Sequence, residues 1–167
     1  VTRAMQKPSG AVYKQFVREY NKINRELGRK QYLVPYFMSS HPGCSLQEMI
    51  ELAEFIRDMG YNPEQVQDFT PTPMTVATCM YYTGINPLTM QRIYVARSAR
   101  EKELQRALLQ FRDPSRRAQV EQALKLARRE DLIGYGPHAL LRPAGKQPRQ
   151  RPGQQAGRQK KKTGKRS

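Results

Sequence analysis

The sequence has 167 residues, of which 26% are charged, and a formal net charge of +16. This length holds one domain with a core, two cysteines exclude a disulfide framework, and the longest apolar run, seven residues from Tyr32 to Met38, excludes a bilayer-spanning helix of about 20 residues. Ten Lys or Arg and no acidic residue lie between Arg142 and Ser167, so this end carries +10 of the charge and any polyanion contact is expected there.

Taken in chain order, Ser9-Gly10 opens a helix whose apolar positions Val12, Phe16, Tyr20, Ile23 and Leu27 recur at helical spacing until Gly28. Tyr32 to Met38 is apolar at consecutive positions, the pattern of a strand covered on both faces, although Pro35 cannot donate to a ladder and belongs at a bulge or an edge. Ser45 and Glu48 have capping-box spacing, Met49, Leu52, Ala53, Ile56 and Met59 line one helical face, and Gly60 stands at the left-handed closing position. Gln65 to Phe69 is a second, shorter strand. A connection of this length joins parallel neighbours.

Val76 to Tyr82 is a short helix ended by Gly84, and Arg92 to Ala96 is a weak candidate for a third strand. Ser98 and Glu101 repeat the capping box ahead of Leu104, Ala107, Leu108 and Phe111. Asp113-Pro114 separates that helix from another whose apolar face is Val120, Ala123, Leu124 and Ala127, which makes a helical hairpin. Asp131 to Pro137 is a closing loop, and the Gln-, Gly-, Pro- and Lys-rich tail is expected to be disordered.

In parallel α/β structures, the turns that follow the strands gather at the carboxyl edge of the sheet, where ligands bind. The candidate site residues are therefore Ser39, Ser40 and His41 in the first turn, Gln67 and Asp68 at the end of the second strand, and Thr70 and Thr72 in the Pro-rich turn after it. Of Gln67 and Asp68, one should face the site and the other a covering helix. Each position has a plain structural alternative: hydroxyls satisfying a local turn, a salt bridge for Asp68, and rigid loop closure for the Thr-Pro repeats.

No metal site is expected, because His41 and Cys44 lack the partner pair that a closed zinc site needs. No catalytic residue is assigned. Adjacent residues on an extended chain point apart, which argues against a Ser39 or Ser40 nucleophile with His41 as base, and neither a nucleophile elbow nor a glycine-rich phosphate loop is present. Cys44 reads as a reduced thiol ahead of a helix, and Cys79 as packed within its short helix. Two or three short parallel strands do not make a stable sheet. Together with a start at Val1 and not at Met, this suggests a piece of a longer protein whose further strands lie upstream.

The string from Tyr36 to Gly43, the capped helix, and Phe69-Thr70-Pro71-Thr72-Pro73-Met74-Thr75 resemble, in that order, the late part of radical SAM barrels. Gln31 to Gly43, Glu64 to Gly84 and Arg129 to Gly136 are similar to the carboxy-terminal portion of the YgiQ-type radical SAM family, over about Met5 to Pro143. The resemblance implies an α/β fold, an incomplete parallel β/α barrel in which residues 1–96 are the terminal βα units, 97–143 a helical extension and 144–167 a disordered basic tail.

It further implies that the parent enzyme binds S-adenosylmethionine and a [4Fe-4S] cluster and makes a 5'-deoxyadenosyl radical. The family's CxxxCxxC cluster motif is absent from this sequence, so the chain alone is expected to bind no cluster and to be inactive. By the same analogy Ser39, Ser40, His41, Gln67, Asp68, Thr70 and Thr72 would wall the cofactor and substrate pocket. Met74 stands where related turns carry a small Gly. The expected partner is the missing amino-terminal barrel portion of the same protein, in the cytoplasm and without a membrane. The alternative is a basic adaptor that binds nucleic acid through its tail.

Overall fold

The computed structural model describes residues 1–63 and 65–144. The expected basic tail, apart from Ala144, lies outside the described residues. The fold is α/β. Helix α1 runs Gly10–Glu26, strand β1 Phe37–Ser39, α2 Leu46–Asp58, β2 Val66–Asp68, α3 Val76–Thr83, α4 Ala99–Leu109 and α5 Arg117–Leu126, with single 3-10 turns at Pro114–Arg116 and Glu130–Leu132.

The best-punctuated elements form for the reasons legible in their ends. Ser45 and Glu48 close a capping box on α2, Ser98 and Glu101 close one on α4, and Gly60 and Gly84 turn left-handed (φ 65° and 69°) just past their helices. Asp113 caps the turn before α5, where Pro114 occupies a position with no amide hydrogen to lose.

The core is a stack of helices. The apolar face of α2 (Met49, Ile50, Ala53, Ile56) meets α4 (Leu104, Ala107, Leu108, Leu109), which in turn pairs with α5 (Val120, Ala123, Leu124). Leu132, Leu140 and Leu141 from the closing loop complete it. Helix α4 also packs on both strands, so one helix touches the sheet and the rest of the core together.

The sheet has two strands, parallel as the connection length requires, with Phe37 opposite Val66, Met38 opposite Gln67 and Ser39 opposite Asp68. Phe37, Ser39, Val66 and Asp68 lie on the face toward α4; Met38 and Gln67 lie on the other.

Three expectations need correction. The seven-residue strand is only Phe37–Ser39: Tyr32 to Tyr36 pairs with no strand among the described residues, which leaves Tyr32 83% and Val34 80% exposed. The third strand is not formed among the described residues; Arg92 instead makes an isolated antiparallel bridge to Ile85, and Ile93 to Ala96 has no strand pairing. Helix α1 exists, yet Val12, Phe16, Ile23 and Leu27 are left half exposed. Its contact with the body is the adjacent stripe, where Tyr13 meets Phe55 edge-on at 6.2 Å between ring centroids.

Candidate functional site

The turn after β1 is held from above by α4. Ser39 is fully buried and its hydroxyl donates to the Asp68 carboxylate across the sheet. Asp68 in turn accepts from Arg106 Nη1 at 3.0 Å. The next residue down the chain, Ser40, has a left-handed backbone at φ 61°, and its amide donates to Gln105 Oε1 at 2.9 Å. Gln105 Nε2 donates to the Cys44 carbonyl at 2.7 Å, so one buried side chain clasps both ends of the turn. Two consecutive residues of α4 thus fix the carboxyl ends of both strands.

Gly43 closes the turn with φ +86°, and a Cβ there would come within 3.2 Å of Ile93 Cδ1. Its amide donates to the Tyr94 carbonyl at 2.7 Å, which ties the turn to the segment before α4. The Ser40 hydroxyl is buried and has no hydrogen-bond partner among the described residues. Such an orphan is costly unless something else satisfies it.

His41 is buried with its Nδ1 donating to the Pro42 carbonyl at 2.8 Å and its ring edge-on to Phe69 at 5.0 Å. Burial holds its pKa below 6.5, outweighing the opposing pull of the Pro42 carbonyl, with smaller contributions from the amino terminus and Lys7. The stack continues from Phe69 to Tyr81 at 5.7 Å, where Lys102 and Arg97 lie over the tyrosine ring and Lys102 Nζ meets its hydroxyl at 3.0 Å.

The second turn is exposed. Thr75 caps α3 through the Thr78 amide, and the Thr72 carbonyl accepts from the hydroxyls of both Thr75 and Thr78. Thr70 and Thr72 point only long contacts of 3.5 Å at neighbouring carbonyls, which leaves their hydroxyls open to solvent. Met74 is fully exposed and left-handed at φ 63°, a conformation that costs a non-glycine residue steric strain.

The seven sequence candidates therefore divide. Ser39 and Asp68 belong to the network under α4. Ser40 and His41 are enclosed in the first turn, Gln67 stands exposed on the opposite face of the sheet, and Thr70 and Thr72 lie beyond the strand end. Gln105 and Arg106 were not singled out from the sequence. A lone glutamine beside Leu104 in an apolar helical row was the available sign.

The cysteines are separate. Cys44 is buried and its thiol is pushed up to about 12, first by desolvation and then by Glu48. Cys79 is exposed on α3, which corrects the expectation of a packed thiol. Among the described residues no group of three or more His, Cys, Asp or Glu is placed to hold a metal ion, and no helix is long and apolar enough to cross a membrane.

The family described as a domain of unknown function, DUF3362, matches residues 64–167. The chain is 57% identical over 143 residues to a UPF0313 protein of Methanocella arvoryzae, covering 86% of this chain and 24% of that one. It is 54% identical over 142 residues to a UPF0313 protein of Clostridium perfringens (85% of this chain, 22% of the relative) and 53% identical over 142 residues to one of Methanosarcina mazei (85% and 23%). The chain spans about a quarter of the length of these curated relatives. No solved structure matches it. With this identity across most of its length and a DUF3362 match over residues 64–167, the chain belongs to the YgiQ-type (UPF0313) family and fits a carboxy-terminal portion of such a protein.

Proposed function

We propose that residues 1–96 are the last βα units of a parallel β/α barrel of the radical SAM type, with 97–143 a helical extension seated on it. In this reading the turns after β1 and β2 wall a pocket for S-adenosylmethionine and a substrate. The observation that carries it is the parallel register of Ser39 against Asp68, which brings both polar turns to one edge of the sheet. The exposed Gln67 amide and the open hydroxyls of Thr70 and Thr72 suit the hydrogen-bonding groups of a nucleoside, and in the first turn the buried Ser40 hydroxyl has no partner among the described residues.

The residues present do not fit an iron-sulfur cluster. Cys44 is a buried thiol far from its thiolate form in the turn ahead of α2, and Cys79 is on α3. The cluster belongs in this reading to the remaining three quarters of the protein, in the cytoplasm, and S-adenosylmethionine bound there supplies the radical chemistry. The chain's own part is to orient the nucleoside end and to exclude water from one wall.

The test is anaerobic iron-sulfur reconstitution of the 167-residue chain beside the full-length protein, with S-adenosylmethionine affinity measured on both. Cluster and tight binding are expected in the full-length protein only; stoichiometric cluster uptake by the short chain sinks the proposal. A second reading, a nucleic-acid adaptor, rests on the ten basic and no acidic residues from Arg142 onward. Deleting 144–167 and measuring RNA affinity across a salt series decides it, since an adaptor loses nearly all affinity and its salt slope.

A further inference from the structure

We infer that Gln105 is the positioning residue of the pocket turn, and that the α4–α5 hairpin sets the pocket's ligand affinity through it. The inference rests on the reading that the turn after β1 lines a ligand pocket. Gln105 is the one fully buried polar residue of α4, and it spends both ends of its amide on the turn: Oε1 accepts from the Ser40 amide at 2.9 Å and Nε2 donates to the Cys44 carbonyl at 2.7 Å.

A buried amide is tolerated only where its donor and acceptor are satisfied, and here both partners are backbone groups flanking His41 and Pro42. These two bonds therefore dictate the turn's path instead of merely filling space. The Ser40 backbone is left-handed, a conformation a serine adopts only when its surroundings over-determine it. Removing the acceptor leaves the Ser40 amide buried and unpaired, so the turn is free to relax toward ordinary backbone.

Arg106, the adjacent residue, holds Asp68 and through it Ser39, so a small shift of α4 along its axis moves both strand ends together. The hairpin lies inside the DUF3362 match at residues 64–167, whereas the turn it holds at 39–44 lies outside it. That segment thus reaches, through α4, a turn that lies outside it. In physical terms the hairpin is a clamp: seated, it holds the turn in the binding conformation, and displaced, it releases it.

The experiment has two arms. In the full 167-residue chain, backbone amide exchange is compared between wild type and Gln105→Met, a change that keeps volume and removes both hydrogen bonds. Ser40 is expected to exchange about tenfold faster or more, while the Leu108 and Leu109 amides on the same helix change less than about twofold. Gln105→Glu at pH 6, whose buried neutral carboxyl offers a donor and an acceptor in the same shape, is expected to restore most of the Ser40 protection. No change at Ser40 in Gln105→Met, or an equal acceleration at Leu108 and Leu109, overturns the positioning role and makes Gln105 an ordinary core contact.

In the full-length protein, Gln105→Met is expected to weaken S-adenosylmethionine by about tenfold, with cluster content unchanged. Unchanged affinity beside a faster Ser40 amide overturns the clamp. A wild-type full-length protein that binds no S-adenosylmethionine defeats the pocket reading instead, and the Ser40 exchange result still decides whether Gln105 holds the turn.

Discussion

Arg106 on α4 reaches Asp68 at the end of β2 with Nη1 3.0 Å from Oδ2, and Asp68 accepts the Ser39 hydroxyl on its other oxygen. Both charged side chains remain partly open, 40% and 37% exposed, so solvent screens the pair. Arg106→Met is therefore expected to lower the unfolding free energy by only about 0.5–1 kcal/mol. The loss should shrink in 0.5 M salt, at a Debye length of about 4 Å. Urea denaturation at two salt concentrations checks both statements.

Met74→Gly should stabilise the chain. At φ 63° the methionine side chain crowds its own backbone, at a cost of about 1–2 kcal/mol that glycine does not bear. Glycine gives back about 0.5–1 kcal/mol through the entropy of the unfolded chain. The net expectation is a gain of about 0.5–1 kcal/mol, read as a rise of a few degrees in Tm. A fall in Tm would mean that the exposed methionine side chain packs on something in solution.

His41 makes stability depend on pH near neutrality. Its folded pKa is lowered from 6.5, chiefly by burial, so on acidification the unfolded chain takes up the proton first. The stabilisation is complete above about pH 6.5 and is lost as pH falls through the lower folded value, with a slope of at most about 1.4 kcal/mol per pH unit. Unfolding free energies at pH 7.5, 6.5 and 5.5 should fall for the wild type and stay flatter for His41→Gln. Equal slopes in the two proteins would remove His41 as the source.

The two thiols should react at very different rates. With its pKa pushed up to about 12 from 9.0, Cys44 holds on the order of a thousandfold less thiolate at pH 8 than an unshifted thiol, and it is buried as well. Iodoacetamide followed by intact-mass measurement is expected to add one label, at Cys79, before any at Cys44. Rapid double labelling of the folded chain would contradict the buried placement of the turn.

Ends of elements were the legible part of this sequence. Ser45 with Glu48, Ser98 with Glu101, and Gly60 and Gly84 act through contacts a few residues apart, and such contacts are written in the local string. The parallel pairing of β1 and β2 was legible for a similar reason, since connection length alone limits it. What failed was burial. Tyr32, Val34 and Val12 are as apolar as any core residue, but apolarity states a demand for cover and not who supplies it. The site was readable as two turns, whereas its clasp was not: Gln105 meets Ser40 across 65 residues of chain, and only the fold brings them together.

The unpaired stretch before β1 also bears on handling the chain by itself. Tyr32 and Val34 are 83% and 80% exposed and pair with no strand among the described residues, and α1 leaves Val12, Phe16 and Ile23 half exposed. An exposed apolar segment running into a strand, with its backbone unpaired, is a template for another copy of itself. The separated 167-residue chain is therefore expected to self-associate as its concentration rises, with light scattering climbing in step, and Val34→Lys should raise the concentration at which this begins. On the proposed barrel reading the same segment would find its cover in the rest of the protein; alone, it sets the limit on solubility.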